Sequence, residues 1–312
     1  MSNGSPAERP TNGARRAAAR DKARVLREEH RKKERRRRAV IRSSIVTVIV
    51  AAAAIVAIVI VGSLHTTSRG PANMASDGIL IGEGMHAKLT PEAAADAKPV
   101  VNKLDASGRT VNIVTYVDYL CPLCGQFEKT NNDQIGKLVD SGAATIEIHP
   151  IPLLASHSAG TKYSLRADNA AACVANYEPD SFWAFNRQLF DHQPQENTAG
   201  LTDLQIKALV KSAKVKDYGE ISKCIDDGMF EGWAQNALDR TLSGPIPNSD
   251  VKQFKGTPLV LVNGKEYQGS LTDPNEFRAF ILKAQSDTYA TAQPTDTATP
   301  TAAPTPTTTP TK

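Results

Sequence analysis

Cys121 and Cys124 stand two residues apart in the segment Cys121-Pro122-Leu123-Cys124. The segment joins an apolar, β-rich run, Val111 to Val117, to a stretch from Gly125 to about Val139 that reads as a helix. Two cysteines at that spacing on a helix N-terminus face each other across one turn and can close a small disulfide. The first sulfur then lies where unpaired backbone N–H groups and the helix dipole favour negative charge. Its pKa falls, and the thiolate becomes a good attacking and leaving group. Pro122 suits the first helical position, because it has no N–H to leave unpaired and its φ is preset. A bare pair of this kind is also half of a zinc site. Zinc would want a second close pair, and the remaining cysteines, Cys173 and Cys224, stand alone. Redox chemistry is therefore favoured over a metal.

The charge distribution bears on the compartment in which that chemistry would run. Of the 312 residues, the first 42 hold 15 Lys or Arg against 5 Asp or Glu, a net charge of +10, whereas the remaining 270 carry −6. The basic character thus belongs to a tail, and the body shows no basic patterning that would indicate nucleic acid binding. Ser43 to Leu64 is uncharged, with an unbroken apolar core from Val48 to Val61. As a helix this run spans about 33 Å, enough for a hydrocarbon layer of about 30 Å. A cleaved signal peptide is the competing reading. Its apolar region is normally about 7–15 residues, and Gly62-Ser63-Leu64-His65 makes a poor cleavage site. An uncleaved anchor is favoured, and the basic flank before it places the N-terminus in the cytoplasm and the body outside. The sequence thus predicts a single-pass protein of the cell membrane with an extracytoplasmic domain. Disulfides persist outside the cytoplasm, so Cys173 and Cys224 are expected to form a structural bridge.

The organisation along the chain follows. Residues 1–42 form the basic cytoplasmic tail, 43–64 the transmembrane helix, 65–77 a linker, 78–286 one α/β domain, and 287–312 a disordered Thr/Pro-rich tail. Within the domain, Gly78 to Gly82 reads as an edge strand, Val111 to Val117 as the strand leading to the cysteines, and Ala144 to His149 as a third strand. A helical block of about 155–243 comes next, with helices expected at Ser158–Asn176, Ser181–Asp191, Thr202–Lys214, Tyr218–Asp227 and Phe230–Leu242. Thr202-Asp203-Leu204-Gln205 has the form of a capping box. Pro258 to Val262 and Lys265 to Gly269 flank Asn263-Gly264 as a hairpin, and a helix from Asp273 to Ala284 closes the domain. Trp183, Phe182, Phe185 and Phe190 have helical spacing and read as core of the helical block.

The constellation resembles the DsbA-like branch of the thioredoxin superfamily, in particular the membrane-anchored versions of Gram-positive bacteria. The likeness covers roughly Gly78 to Gln285. It rests on Tyr116 to Glu128, Ile148 to Leu153, Arg166 to Cys173, Phe182 to Phe185 and Gly256 to Val260, taken as an ordered set. The resemblance implies a thioredoxin-like fold with an inserted helical subdomain, preceded by one transmembrane helix. It makes Cys121 the exposed nucleophile and Cys124 the buried resolving cysteine, and Thr257-Pro258 the cis-proline loop facing them. Two departures stand out. Relatives often carry an acid six positions before the nucleophile, where this chain has Thr115; Asp118, three before it, reads as a surface carboxylate near the helix. Pro-Leu between the cysteines lacks the potentially cationic His of the strongest oxidants, which implies a milder one. His149 reads as a surface or loop histidine near the site.

The function so implied is an extracytoplasmic thiol:disulfide oxidoreductase that oxidises exported proteins carrying reduced cysteines. A membrane reoxidase of DsbB or VKOR type would serve as its partner, and no dissolved cofactor is needed. A reductase or isomerase on the same fold, and a non-catalytic cell-envelope scaffold protein, are the alternatives.

Overall fold

The computed structural model describes residues 69–293. The basic tail, the expected transmembrane helix and the tail beyond residue 293 lie outside the described residues. Among the described residues no helix is long and apolar enough to cross a membrane.

Apolar and β-branched side chains build a sheet of five strands: β1 (Ile79–Ile81), β2 (Val111–Val117), β3 (Ala144–Pro150), β4 (Leu259–Val262) and β5 (Lys265–Glu266), in the order β1-β3-β2-β4-β5. β2 and β3 run parallel, and every other pairing is antiparallel. The parallel pair is joined by helix α1 (Pro122–Asp140), whose buried Cys124, Phe127, Asn131, Ile135 and Val139 recur every three or four residues along one face. Alternation divides the strands between two cores. Ile113, Val117, Val260 and Val262 face the main core, while Tyr116, Leu259 and Leu261 face a smaller one with Ile151, Ile246 and Phe254.

Between β3 and β4 the chain forms α2 (Tyr163–Tyr177), α3 (Phe182–Asp191), α4 (Asp203–Ser212), α5 (Tyr218–Asp226) and α6 (Glu231–Ser243). α2 starts five residues later than its apolar pattern predicts. Ala159, Gly160 and Lys162 all adopt positive φ, so the chain turns there before it can coil. The capping box at Thr202 forms in both directions, with Gln205 N donating to Thr202 Oγ1 and Thr202 N donating to Gln205 Oε1. Cys173 in α2 and Cys224 in α5 are bonded to each other, and both are fully buried.

Two segments depart from the sequence reading. Residues 69–77 are no linker, for they pack onto the helical block. Gly70 N donates to Ala93 O, Ala72 N to Asn176 Oδ1 and Asn73 Nδ2 to Ala175 O, while Arg240 grips Asp77 through two bonds of 2.7 Å. Trp233 lies so close to Gly70 that a Cβ there would stand 2.9 Å from the indole. The final helix, α7 (Pro274–Ala292), continues past Ala284 into the segment expected to open the disordered tail. Asn263 holds it there, donating to Ala284 O and Thr288 Oγ1, and Lys283 pairs with Asp287 one turn on.

The Cys173–Cys224 bridge closes a loop of 51 residues between two helices of one core. Replacing both cysteines by Ala should lower unfolding stability by about 4 kcal/mol in the chain-entropy treatment. Urea denaturation followed by circular dichroism measures this, and the pH titration of Cys121 should be unchanged in the same variant.

Candidate active site

β2 ends at Val117, and the chain turns through Asp118-Tyr119-Leu120 before α1 begins. Asp118 is fully buried. Its carboxylate accepts from Leu120 N, Leu154 N and Ser164 Oγ, each at 2.7 Å. Burial pushes the Asp118 pKa up, and the three donors pull against that. The surface carboxylate expected from sequence is thus a buried anchor, because the loop after β3 and the start of α2 close over it. The Asp118 carbonyl accepts from Cys121 N at 3.0 Å, which fixes where the helix starts.

Cys121 is the N-cap residue of α1 in an extended conformation, with Pro122 at the first helical position. The two cysteines are unbonded thiols. Cys121 is only 5% exposed and Cys124 is fully buried, but between them Leu123 is 49% exposed and Pro122 is also exposed. The Cys121 pKa is lowered from 9.0 to about 6. The largest cause is the Cys124 S–H, which donates to the Cys121 sulfur; burial opposes it, and the Thr257 hydroxyl and the N–H groups of Cys124 and Leu123 add to it. These last two are the orphan donors of the first helical turn. Cys124 moves the other way, well above 9.0, because burial and then the neighbouring Cys121 anion disfavour its ionisation. The pair therefore holds one reactive thiolate and one protonated thiol.

Thr257 and Pro258 lie opposite, joined by a cis peptide bond, and the Thr257 carbonyl oxygen is 3.4 Å from Cys121 Sγ. The structure thus brings Cys121, Cys124, Thr257 and Pro258 together at one point. Cys173 and Cys224 are sealed in their own bridge, so neither can complete a metal site with them. Thr115 is buried and supplies no titratable group. His149 is not a surface or loop residue: it is buried in β3, stacks on Tyr116 at 4.3 Å and pairs through Nε2 with Glu147 at 3.2 Å.

Behind the turn lies a polar network that the sequence did not announce. Tyr119 Oη donates to Asn186 Oδ1, and Asn186 Nδ2 to Glu128 Oε2. Burial raises the Glu128 pKa from 4.5 to about 7, against the hydrogen bonds of Asn132 and Asn186. Gln193, after α3, donates from Nε2 to Tyr119 O at 3.2 Å and Cys121 O at 2.8 Å. It lies 72 residues beyond Cys121 in a polar loop, where no spacing or pattern marks it.

A family model described as Thioredoxin matches residues 105–283, more than half of the chain. The chain belongs to the thioredoxin family. Among curated proteins, Disulfide bond formation protein D of Bacillus subtilis is 25% identical over 199 residues, covering 62% of this chain and 80% of that protein. The serine/threonine-protein kinase PknE of Mycobacterium tuberculosis is 30% identical over 148 residues, 45% of this chain, and the chain spans 25% of that protein's length. Among solved structures, the reduced DsbA of Mycobacterium tuberculosis superposes with a TM-score of 0.50 at 26% identity, covering 70% of this chain and all of that one. This thioredoxin-family member is a DsbA-like thiol:disulfide oxidoreductase with a mixed α/β sheet and added helices.

Glu128 supplies a test of the buried network. Below about pH 4.5 its carboxyl is protonated in both folded and unfolded chains. Between pH 4.5 and 7 the unfolded chain ionises first, so the fold loses stability as pH rises, and above 7 the penalty stays constant. Glu128→Gln should therefore match wild type at pH 4 and exceed it at pH 8, by up to about 3 kcal/mol. Urea midpoints at the two pH values measure the difference.

Proposed function

We propose that this oxidoreductase works as an oxidase of exported proteins, donating a Cys121–Cys124 disulfide to substrates with reduced cysteines. The observation that carries this reading is the placement of Cys121 at the N-cap of α1, opposite the cis Thr257–Pro258 bond. There it lies within hydrogen-bond reach of Cys124 and the first helical N–H groups, an arrangement that lowers its pKa to about 6. A stabilised thiolate lowers the free energy of the reduced enzyme at neutral pH, and so makes the disulfide more oxidising. It also makes Cys121 the better leaving group.

The step balances as follows. A substrate thiolate attacks Cys121 Sγ, the Cys121–Cys124 bond breaks, and the Cys124 sulfur leaves with the electron pair and takes up a proton. A second substrate thiolate then attacks the substrate sulfur of the mixed disulfide, and Cys121 departs as the thiolate held by the helix N-terminus. Two electrons have moved from the substrate dithiol to the cysteine pair, so a second protein must remove them. A membrane reoxidase of DsbB or VKOR type is the partner this reading calls for. The exposed Leu123 beside Cys121, and the Thr257 backbone opposite, offer an extended substrate segment an apolar contact and main-chain hydrogen bonds.

An extracytoplasmic location is part of the same proposal. Its support is the +10 flank ahead of an uncharged run of 22 residues, and a structural disulfide buried in the body. A protease-accessible tag at Lys312 should be reached from outside intact cells, and one at Ser2 should not; the reverse pattern would end the export argument.

Cys121→Ser should abolish oxidation of a reduced test protein, whereas Cys124→Ser should accumulate mixed disulfides through Cys121. Equilibration with glutathione should give a reduction potential less negative than about −180 mV. A value below about −230 mV would turn the reading to a reductase. An unshifted Cys121 titration with no trapped partner would leave the scaffold alternative.

A further inference from the structure

Gln193 sits in the helical block, yet its amide reaches the redox turn. Nε2 donates to two carbonyl oxygens, those of Tyr119 and Cys121. Both partners are acceptors, so the nitrogen end of the amide must face them. The Cys121 carbonyl also receives Gly125 N at 3.1 Å, the first hydrogen bond of α1. On the other side, Gln193 Oε1 fills the space where a Cβ on residue 125 would stand, and this gives Gly125 its reason to be glycine. The supporting strut is rigid. Gln193 N donates to Phe190 O, the Phe190 ring packs 5.1 Å from that of Tyr119, and Asn186 on the same helix holds the Tyr119 hydroxyl.

We propose that Gln193 is a positioning residue for the redox turn, holding the Cys121 carbonyl so that the first N–H groups of α1 stay aimed at the Cys121 sulfur. The inference rests on the reading of Cys121 as the attacking sulfur. Its physical basis is twofold. The Cys121 carbonyl opens the first turn of α1, whose next two peptide planes carry the Leu123 and Cys124 N–H groups, and two donors on that carbonyl fix where the turn begins. The same donors also engage the negative ends of two carbonyl dipoles next to a sulfur that must carry negative charge. The Gln193 amide keeps both oxygens hydrogen-bonded beside the redox turn.

The test pairs two variants with a double mutant. Gln193→Met keeps length and bulk and loses both donors. Gly125→Ala displaces the amide from the opposite side while favouring the helix. Iodoacetamide alkylation of Cys121 against pH should show the midpoint rising by about 0.5–1 unit in each single variant, a three- to tenfold fall in thiolate fraction below the midpoint. The glutathione equilibrium should move toward the disulfide-bonded enzyme by a similar factor lost from its oxidising power. Gln193→Ala alone should raise the midpoint as Gln193→Met does, and adding Gly125→Ala to it should shift nothing further, because the collision it exploits is gone. A wild-type titration in Gln193→Met overturns the inference, and so does a lowered unfolding midpoint with no change in titration, since that marks a merely structural residue. An unshifted Cys121 in the wild type would instead remove the functional reading on which the inference stands.

Discussion

The carboxylate of Asp118 ties three parts of the chain to one point: the turn after β2 through Leu120, the loop after β3 through Leu154, and the start of α2 through Ser164. A carboxyl taken from water without partners costs several kcal/mol; here three donors at 2.7 Å offset that cost. Because Cys121 N in turn donates to the Asp118 carbonyl, the position of the sulfur follows from the same anchor. Asp118 therefore acts on the chemistry through geometry. Its oxygens accept three donors that hold the turn, and its main-chain carbonyl holds Cys121 N.

From that placement comes the unequal treatment of two chemically identical thiols. Cys121 caps the helix and faces its first free N–H groups, whereas Cys124 lies one turn inside, buried and next to the Cys121 anion. The S–H that Cys124 donates to Cys121 and the burial of Cys124 are the larger causes of the divergence, and the first N–H groups of the helix add to it on the Cys121 side. With Leu at position 123 no side-chain cation contributes. The thiolate is held by N–H, S–H and O–H groups within hydrogen-bond reach, and such short-range dipoles are little screened by salt.

Much of this was legible in the sequence, for identifiable reasons. The β2 run, the cysteine pair at a helix start, the capping box at Thr202 and the Asn-Gly hairpin are local patterns, each set by residues within a few positions. What the sequence hid depends on distant partners. Residues 69–77 have a linker's polar composition, and their side-chain ties to the helical block run to Ala175, Asn176 and Arg240, a hundred residues and more away. Residues 287–292 are rich in Thr and Ala, and their helix is held by Asn263 of the hairpin turn. Asp118 and His149 read as surface residues because alternation and charge cannot show that other elements close over them. Gln193 had no signal at all, since its role consists of two hydrogen bonds spanning 72 and 74 residues.

The helical block is therefore a working part of the redox turn. It supplies Ser164 to Asp118, Asn186 to Tyr119 and Gln193 to Cys121, and its own rigidity is reinforced by the Cys173–Cys224 bridge. It also sets the electrostatic surroundings. Asp118, Glu128 and Asp168 are all buried around Tyr119, and among the described residues neither oxygen of Asp168 has a hydrogen-bond partner. Burial, then the nearby Asp118 charge, pushes Asp168 far up, and burial holds Glu128 near 7, so the interface favours the protonated forms over accumulated charge. Behind the cysteines the protein is buried and screens charges less than water does, and in such surroundings the few dipoles aimed at Cys121 count for more than they would in water.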